Sequence, residues 1–268
     1  MLGDQNAFRV HEDSDLNARV RLPSLDSEPS QDQEWCEVLE EGAWKQIRFH
    51  DYASIYTRPG LYEHLFYRLL GCTSPARVAT MLAEVRRETV PSGRHLRVLD
   101  LGAGNGMMGA ELRRIGAKEV VALDILPEAR AAASRDRPDV YDDYLVADLC
   151  QPDARTCARI EGLAPNCLVS VAAMGFGDLP ARAFYNALHF LPKGSLMAFT
   201  IKSDFLHNRY PYGYAELIRR MLAGNVIDLE AMRRYRHRRS LTGTPLYYTA
   251  IVATKLADVP EAMLVADP

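Results

Sequence analysis

From Arg97 onward, short apolar runs recur at intervals and are separated by segments with apolar residues at helical spacing. The runs read as strands at about 97–101, 119–125, 142–149, 166–173 and 195–202, and the segments between them as helices at 106–115, 127–136, 153–162 and 179–191. Runs without a polar face imply strands buried on both sides. Their alternation with helices predicts an α/β fold with a doubly wound parallel sheet. After the fifth strand the pattern gives a helix over 214–222 and two strands, 231–240 and 246–255, joined through Leu241-Thr242-Gly243-Thr244-Pro245. A closing hairpin is not part of a plain dinucleotide fold.

Upstream the rhythm differs. Residues 35–39 and 44–49 flank Glu40-Glu41-Gly42 as a hairpin, with Gly42 at the turn. Pro59-Gly60 is a break, and helices follow at 61–70 and 75–87. Residues 1–33 are rich in Ser, Asp, Glu, Gln and Pro with little apolar periodicity, the signature of a disordered or loosely draped extension outside the core. The pattern divides the chain into an extension (1–33), a hairpin and helical cap (34–92) and the α/β domain (93–268).

Composition narrows the function classes. The 268 residues carry a net charge of −3, so no global field favours nucleic acid. The acidic N-terminus lacks a signal-peptide core, and no 18-residue apolar run predicts a membrane span, so the expectation is a cytoplasmic protein. The five cysteines show no C-x-x-C spacing and imply reduced thiols with no metal site.

The chemistry concentrates where the first strand ends, in Val98-Leu99-Asp100-Leu101-Gly102-Ala103-Gly104-Asn105-Gly106-Met107-Met108-Gly109. Alternate glycines let backbone take positive φ and approach a ligand closely, and the helix that follows points free N–H groups into the same space. Gly104, Gly106 and Gly109 also fit the G-x-G-x-x-G spacing of a dinucleotide loop, with Asp124 about twenty residues on. Asp100 weighs against that, because a carboxylate beside a pyrophosphate repels it, whereas a free α-ammonium attracts it.

This motif, apolar-Asp-apolar-Gly-x-Gly-x-Gly, resembles motif I of the class I S-adenosylmethionine-dependent methyltransferases. The closing hairpin is similar to that family's sheet, whose last strand runs antiparallel between the fifth and sixth. The resemblance covers about residues 90–256 and implies a Rossmann-like, seven-stranded domain using S-adenosylmethionine, in the family's small-molecule branch. It implies cofactor contacts from Asp100, Gly102, Ala103, Gly104 and Gly106, and from Asp124, which would accept ribose hydroxyls beside an adenine-packing Ile125. Asp148 would accept from the adenine amino group, and the Leu149 N–H would meet a ring nitrogen. The alternative for Asp124 and Asp148, less favoured, is that they cap the helices that follow them. In the cap, Tyr56 and Arg58 could reach the methionyl end, Arg58 pairing with the carboxylate, or the cap tyrosines could simply pack.

The acceptor side is less determined. Small residues surround Met174-Gly175-Phe176-Gly177-Asp178-Leu179, without the acid-proline-aromatic signature of base amine methylation, which leaves room for a small-molecule acceptor. Candidate proton acceptors are Asp178, otherwise a helix cap, and His207 beyond the fifth strand, near Lys202 and Asp204; His189 reads as structural. Arg233-Arg234-Tyr235-Arg236-His237-Arg238-Arg239 reads as a charged edge strand, with Arg234, Arg236 and Arg238 on one face. The expected function is methyl transfer to a small molecule. The alternatives are an NAD(P)-dependent oxidoreductase and a non-catalytic cofactor-binding regulatory or partner protein.

Overall fold

In the computed structural model, which describes residues 8–11, 19–91, 93–175, 178–206 and 213–264, the recurring apolar runs become β5 (Arg97–Leu101), β6 (Glu119–Asp124), β7 (Asp143–Val146), β8 (Cys167–Met174) and β9 (Leu196–Lys202), with β10 (Ile227–Arg239) and β11 (Pro245–Lys255) closing the sheet. The strand order is β10-β11-β9-β8-β5-β6-β7. Pairings β5–β6, β5–β8, β6–β7 and β8–β9 are parallel, and β11 runs antiparallel to β9 from Tyr248↔Lys202 to Thr254↔Leu196. Strand order reverses between β5 and β8, so the crevice for a ligand opens at the carboxyl ends of β5, β6 and β8. This is the Rossmann-like sheet with a reversed last strand that the sequence predicts.

The described residues fall into two units, one of residues 74–235 and 247–268, the other of 1–73 and 236–246. In the larger unit both sheet faces are covered. Val78, Leu82 and Val85 of α3 (Ser74–Thr89) and Met108 and Leu112 of α4 (Met107–Arg114) pack with Val98, Val120 and Val169. On the other face α6 (Ala154–Leu163), α7 (Ala181–His189) and α8 (Gly213–Ala223) bury Ile160, Phe184, Leu188, Leu217 and Ile218 against Leu99, Leu168 and Phe199. The remaining helix, α5 (Pro127–Asp136), starts with Pro127 in its first turn.

In the smaller unit the expected hairpin is β3 (Trp35–Glu40) and β4 (Ala43–Arg48), turned by Glu41 and Gly42, both at positive φ. It extends into a four-stranded antiparallel sheet with β1 (Phe8–His11) and β2 (Arg19–Pro23). Residues 1–33 were expected to lie outside any core, yet Val20 and Leu22 are buried. Their alternation with Arg19 and Arg21 is a period-two signal too short to stand out from its polar surroundings. Asp51 caps α1 (Tyr52–Tyr56) by accepting from the Ser54 amide at 3.2 Å. The helix expected over 61–70 is α2 (Leu61–Glu63) followed by a π-helical turn at His64–Leu69.

Two boundaries differ from those expected. The 75–87 helix, placed with the cap, belongs to the larger unit as α3 because its apolar face packs on the sheet. Residues 236–246, at the tip of the closing hairpin, belong to the smaller unit. There the Glu34 carboxylate, fully buried, accepts from the Arg238 guanidinium and from the Leu241 amide at 2.7 Å. Strict alternation had put Arg238 on a face with Arg234 and Arg236. Instead Arg238 is buried with His237, drawn inward by Glu34, while Arg234 and Arg236 stay exposed.

Candidate functional site

The turn from β5 into α4 holds the glycine loop, with Gly102, Gly104 and Gly106 at φ of +70°, +55° and +89°. At Gly102 a side chain has no room: a Cβ there would lie 2.6 Å from the Cβ of Ala173 on β8. The loop is pinned by its own backbone. The amides of Gly102 and Ala103 donate to the Leu123 carbonyl at 2.8 and 3.3 Å, and that of Gly106 to the Ala103 carbonyl at 3.2 Å. The Gly104 amide donates to Asp124 Oδ2 at 2.9 Å.

Two carboxyl groups flank this loop. Asp124, half-buried at the end of β6, accepts the Gly104 amide on Oδ2 and the Leu126 amide on Oδ1 at 3.0 Å. Burial raises its pKa against the pull of these amides. It does not cap α5, whose N-cap is Leu126. Asp100 is buried in the strand itself, and burial pushes it up to about 7, helped by the nearby Asp124 and opposed by a hydrogen bond from Tyr141. That bond, Tyr141 Oη donating to Asp100 Oδ2 at 2.7 Å, is the only one the Asp100 carboxyl accepts among the described residues.

Tyr141 and Tyr144, which the sequence did not single out, lie around the loop. The Tyr144 hydroxyl donates to the Gly104 carbonyl at 2.8 Å. The two rings meet edge to face with centroids 5.6 Å apart. Tyr141 also fills the space over Gly109, where a Cβ would come within 2.6 Å of its ring. No motif marks such tyrosines, because their role depends on where the α5–β7 connection crosses the loop.

Around the β6 and β7 ends, Ile125 is 58% exposed and Val146 is also exposed. Asp148 lies two residues beyond β7, which ends sooner than the expected 149, and is exposed. Its Oδ1 accepts the Cys150 amide at 2.8 Å, a local turn rather than a helix cap; Asp153 caps α6. Leu149 is buried, and its carbonyl accepts from Asn186 at 2.8 Å.

The β8 end is irregular. Its register against β9 shifts between Ser170 and Met174, Ala172 takes a φ of +59°, and the Ala172 amide donates to Thr200 Oγ1 at 2.8 Å. Such a bulge re-aims a strand beside a site, and here it brings Ala173 against Gly102. Asp178 is exposed, its amide donating to the Gly175 carbonyl at 3.0 Å. The α7 N-cap position is Pro180. Lys202 lies 3.9 Å from Asp204. His189 Nδ1 is 3.0 Å from the Tyr185 carbonyl, on α7 away from this loop in sequence. Phe176, Gly177 and His207 lie outside the described residues.

Within the smaller unit Tyr56 is buried in an aromatic series with Tyr52, Tyr62 and Phe66. The Arg58 guanidinium donates to both oxygens of Glu40 and to the Ser54 carbonyl, and holds the Glu40 carboxyl down at about 2.

No family model and no curated protein matches the chain. Solved structures similar in fold include magnesium protoporphyrin IX methyltransferase from Synechocystis with bound S-adenosylmethionine, at 14% identity over 68% of this chain and 79% of that one, with a TM-score of 0.46. An S-adenosylmethionine-dependent methyltransferase from Clostridium acetobutylicum is similar at 11% identity over 74% and 96% of the two chains, with a TM-score of 0.49. A putative RNA methyltransferase from Pyrococcus horikoshii is similar at 12% identity over 68% and 84%, with a TM-score of 0.48. The strand order carries the fold assignment without them.

Proposed function

We propose that this chain binds S-adenosylmethionine at the glycine loop and catalyses methyl transfer to a small-molecule acceptor. The observation that carries the reading is the fate of the loop amides. Those of Gly102, Ala103, Gly104 and Gly106 are all spent on protein acceptors, one of them the Asp124 carboxylate. A pyrophosphate needs such amides free, and it would meet two carboxyl groups at the loop. A ligand with an ammonium group, two vicinal hydroxyls and a flat base suits the same surroundings.

When bound, S-adenosylmethionine supplies a methyl group on a sulfonium, transferred by in-line displacement to a nucleophile. The residues of this chain hold and orient. Asp100 receives the α-ammonium with the oxygen that Tyr141 leaves open. Gly102, Ala103, Gly104 and Gly106 give close backbone approach. Asp124 has a lone pair left on each oxygen for ribose hydroxyls, since each accepts a single amide. Ile125, exposed beside it, offers an apolar face to the adenine, and Asp148 with the Leu149 amide reads its edge. Asp178, exposed past the β8 bulge, is the described group that could take an acceptor proton, and His207 is the other candidate. Tyr56 and Arg58 lie in the smaller unit, where the Arg58 guanidinium is held by Glu40. A small-molecule acceptor is supported by the small side chains of Ala172, Ala173 and Gly175 at the β8 end and by the net charge of −3.

Calorimetric titration with S-adenosylmethionine, S-adenosylhomocysteine and NAD tests the cofactor. Binding of NAD without either adenosyl ligand overturns the reading. Incubation with radiolabelled S-adenosylmethionine and a fractionated small-molecule extract tests the acceptor. Label entering RNA or protein and no small molecule overturns that half.

A further inference from the structure

The carboxyl group best placed for a ligand cation does not stand alone. Asp100 is enclosed by β5 and its neighbours, and of its two oxygens Oδ2 is bound by the Tyr141 hydroxyl at 2.7 Å. Tyr141 itself is fixed on three sides: its ring packs over Gly106 and Gly109, and its edge meets Tyr144. Tyr144 in turn holds the Gly104 carbonyl. The stretch running from the α5–β7 connection into β7 therefore grips the glycine loop through one phenol and the adjoining carboxyl group through another.

We propose that Tyr141 is a positioning residue for cation recognition, its hydroxyl fixing one oxygen of Asp100 so that the other, as carboxylate, faces a ligand ammonium group. The proposal rests on the cofactor reading above for the identity of that cation. Its physical basis is that a buried carboxylate needs donors to exist in its charged form, and among the described residues Tyr141 is the one donor it has. The other titratable groups that act on Asp100 or feel it, Asp124, Tyr144 and Cys167, gain no charge that would help: Asp124 opposes ionisation, and burial holds the phenol and the thiol neutral. Charging Asp100 therefore depends on Tyr141 before the ligand arrives and on both afterwards. Tyr144, whose hydroxyl goes to the loop carbonyl, has a different task.

The test uses the whole chain labelled with 13C at the aspartate carboxyl carbons, with Asp100→Asn assigning the Asp100 signal. Tyr141→Phe keeps the ring over Gly106 and Gly109 and removes only the hydroxyl. The Asp100 titration midpoint should rise by about one unit in Tyr141→Phe and stay in place in Tyr144→Phe. In the wild type, the Tyr141 ring carbon bearing the hydroxyl should titrate with the Asp100 midpoint, a readout that needs no variant at Tyr141. S-adenosylmethionine affinity of Tyr141→Phe should fall about tenfold at pH 6.5 and return towards the wild-type value by pH 9, whereas Tyr144→Phe should lose affinity equally at both. An unmoved Asp100 midpoint, or a loss in Tyr141→Phe independent of pH, overturns the proposal. A wild type that binds no S-adenosylmethionine while the midpoint still moves sinks the cofactor reading and the role towards that cation, leaving only the hold on Asp100.

Discussion

Replacing Gly102 by alanine isolates what seats the loop on the sheet. Two costs follow from the geometry. A Cβ at a φ of +70° is worth about 1–2 kcal/mol of backbone strain. It would also sit 2.6 Å from Ala173 Cβ, and forcing an extra methyl into packed surroundings costs about 1–3 kcal/mol. Gly102→Ala should therefore destabilise the larger unit by roughly 2–5 kcal/mol. The two costs separate in a double-mutant cycle. Ala173→Gly cannot relieve the dihedral but removes the clash, so in the Gly102→Ala background it should restore about 1–3 kcal/mol. Alone, in a strand, it should cost about 0.5–1 kcal/mol. Urea unfolding of the four proteins, followed by circular dichroism, gives the coupling. Additive effects, with no restoration, would refute the argument that the β8 bulge sets the height of the loop, and a stable Gly102→Ala would refute both costs together.

Asp124→Asn should weaken cofactor binding at least as much as Asp124→Ala, because an amide NH2 must then face either the Gly104 or the Leu126 N–H; calorimetry in which the Asn variant binds like wild type would contradict this. Asp100 has its pKa raised on folding, so the stability it contributes is full below the unfolded carboxylate value near 4 and is lost as pH rises through about 7. Asp100→Asn should accordingly be more stable than wild type at pH 8 and gain nothing at pH 4, as thermal melts across that range would report. Arg238→Met should cost about 3–5 kcal/mol by stranding Glu34, and Glu34→Gln with Arg238→Met should recover part of it; equal losses in single and double variants would show that the pair is not coupled. Cys36 and Cys167, whose thiols burial pushes up to about 12, should resist alkylation at pH 8 until the protein unfolds.

The sheet was legible because burial on both faces leaves a strong mark in sequence: Val98-Leu99, Val120-Val121-Ala122-Leu123 and Leu168-Val169 have no polar face to hide them. The glycine loop was legible because only glycine adopts its three positive φ values cheaply. What pattern reading lost was information held in tertiary position. Asp124 ends its strand as the sequence predicts and Asp148 lies two residues past the end of its own, but only the folded chain shows that one carboxylate turns back on the Gly104 amide and the other on the Cys150 amide. Tyr141 looks like any half-buried aromatic until its hydroxyl is found on Asp100. Strand β2 went unseen because Arg19-Val20-Arg21-Leu22 is two periods long. Arg238 broke the alternation of its strand because the fully buried Glu34, 204 residues earlier, requires a partner.

That separation has a consequence for biosynthesis. A ribosome delivers Glu34 and the strands β2–β4 long before Arg238 and Leu241 exist, so for most of translation the nascent amino-terminal sheet carries a carboxylate whose partners have not been made. Its interior also lacks Leu241, which packs among Val20, Val38 and Leu65. The smaller unit thus begins to emerge first but cannot close until residues 236–246 arrive, after β5–β9 of the larger unit have been made, and those strands can assemble while the earlier segment waits. A chain released before residue 238 should expose that unfinished surface to proteases and chaperones, because Glu34 then stays a buried acid without the guanidinium that meets it.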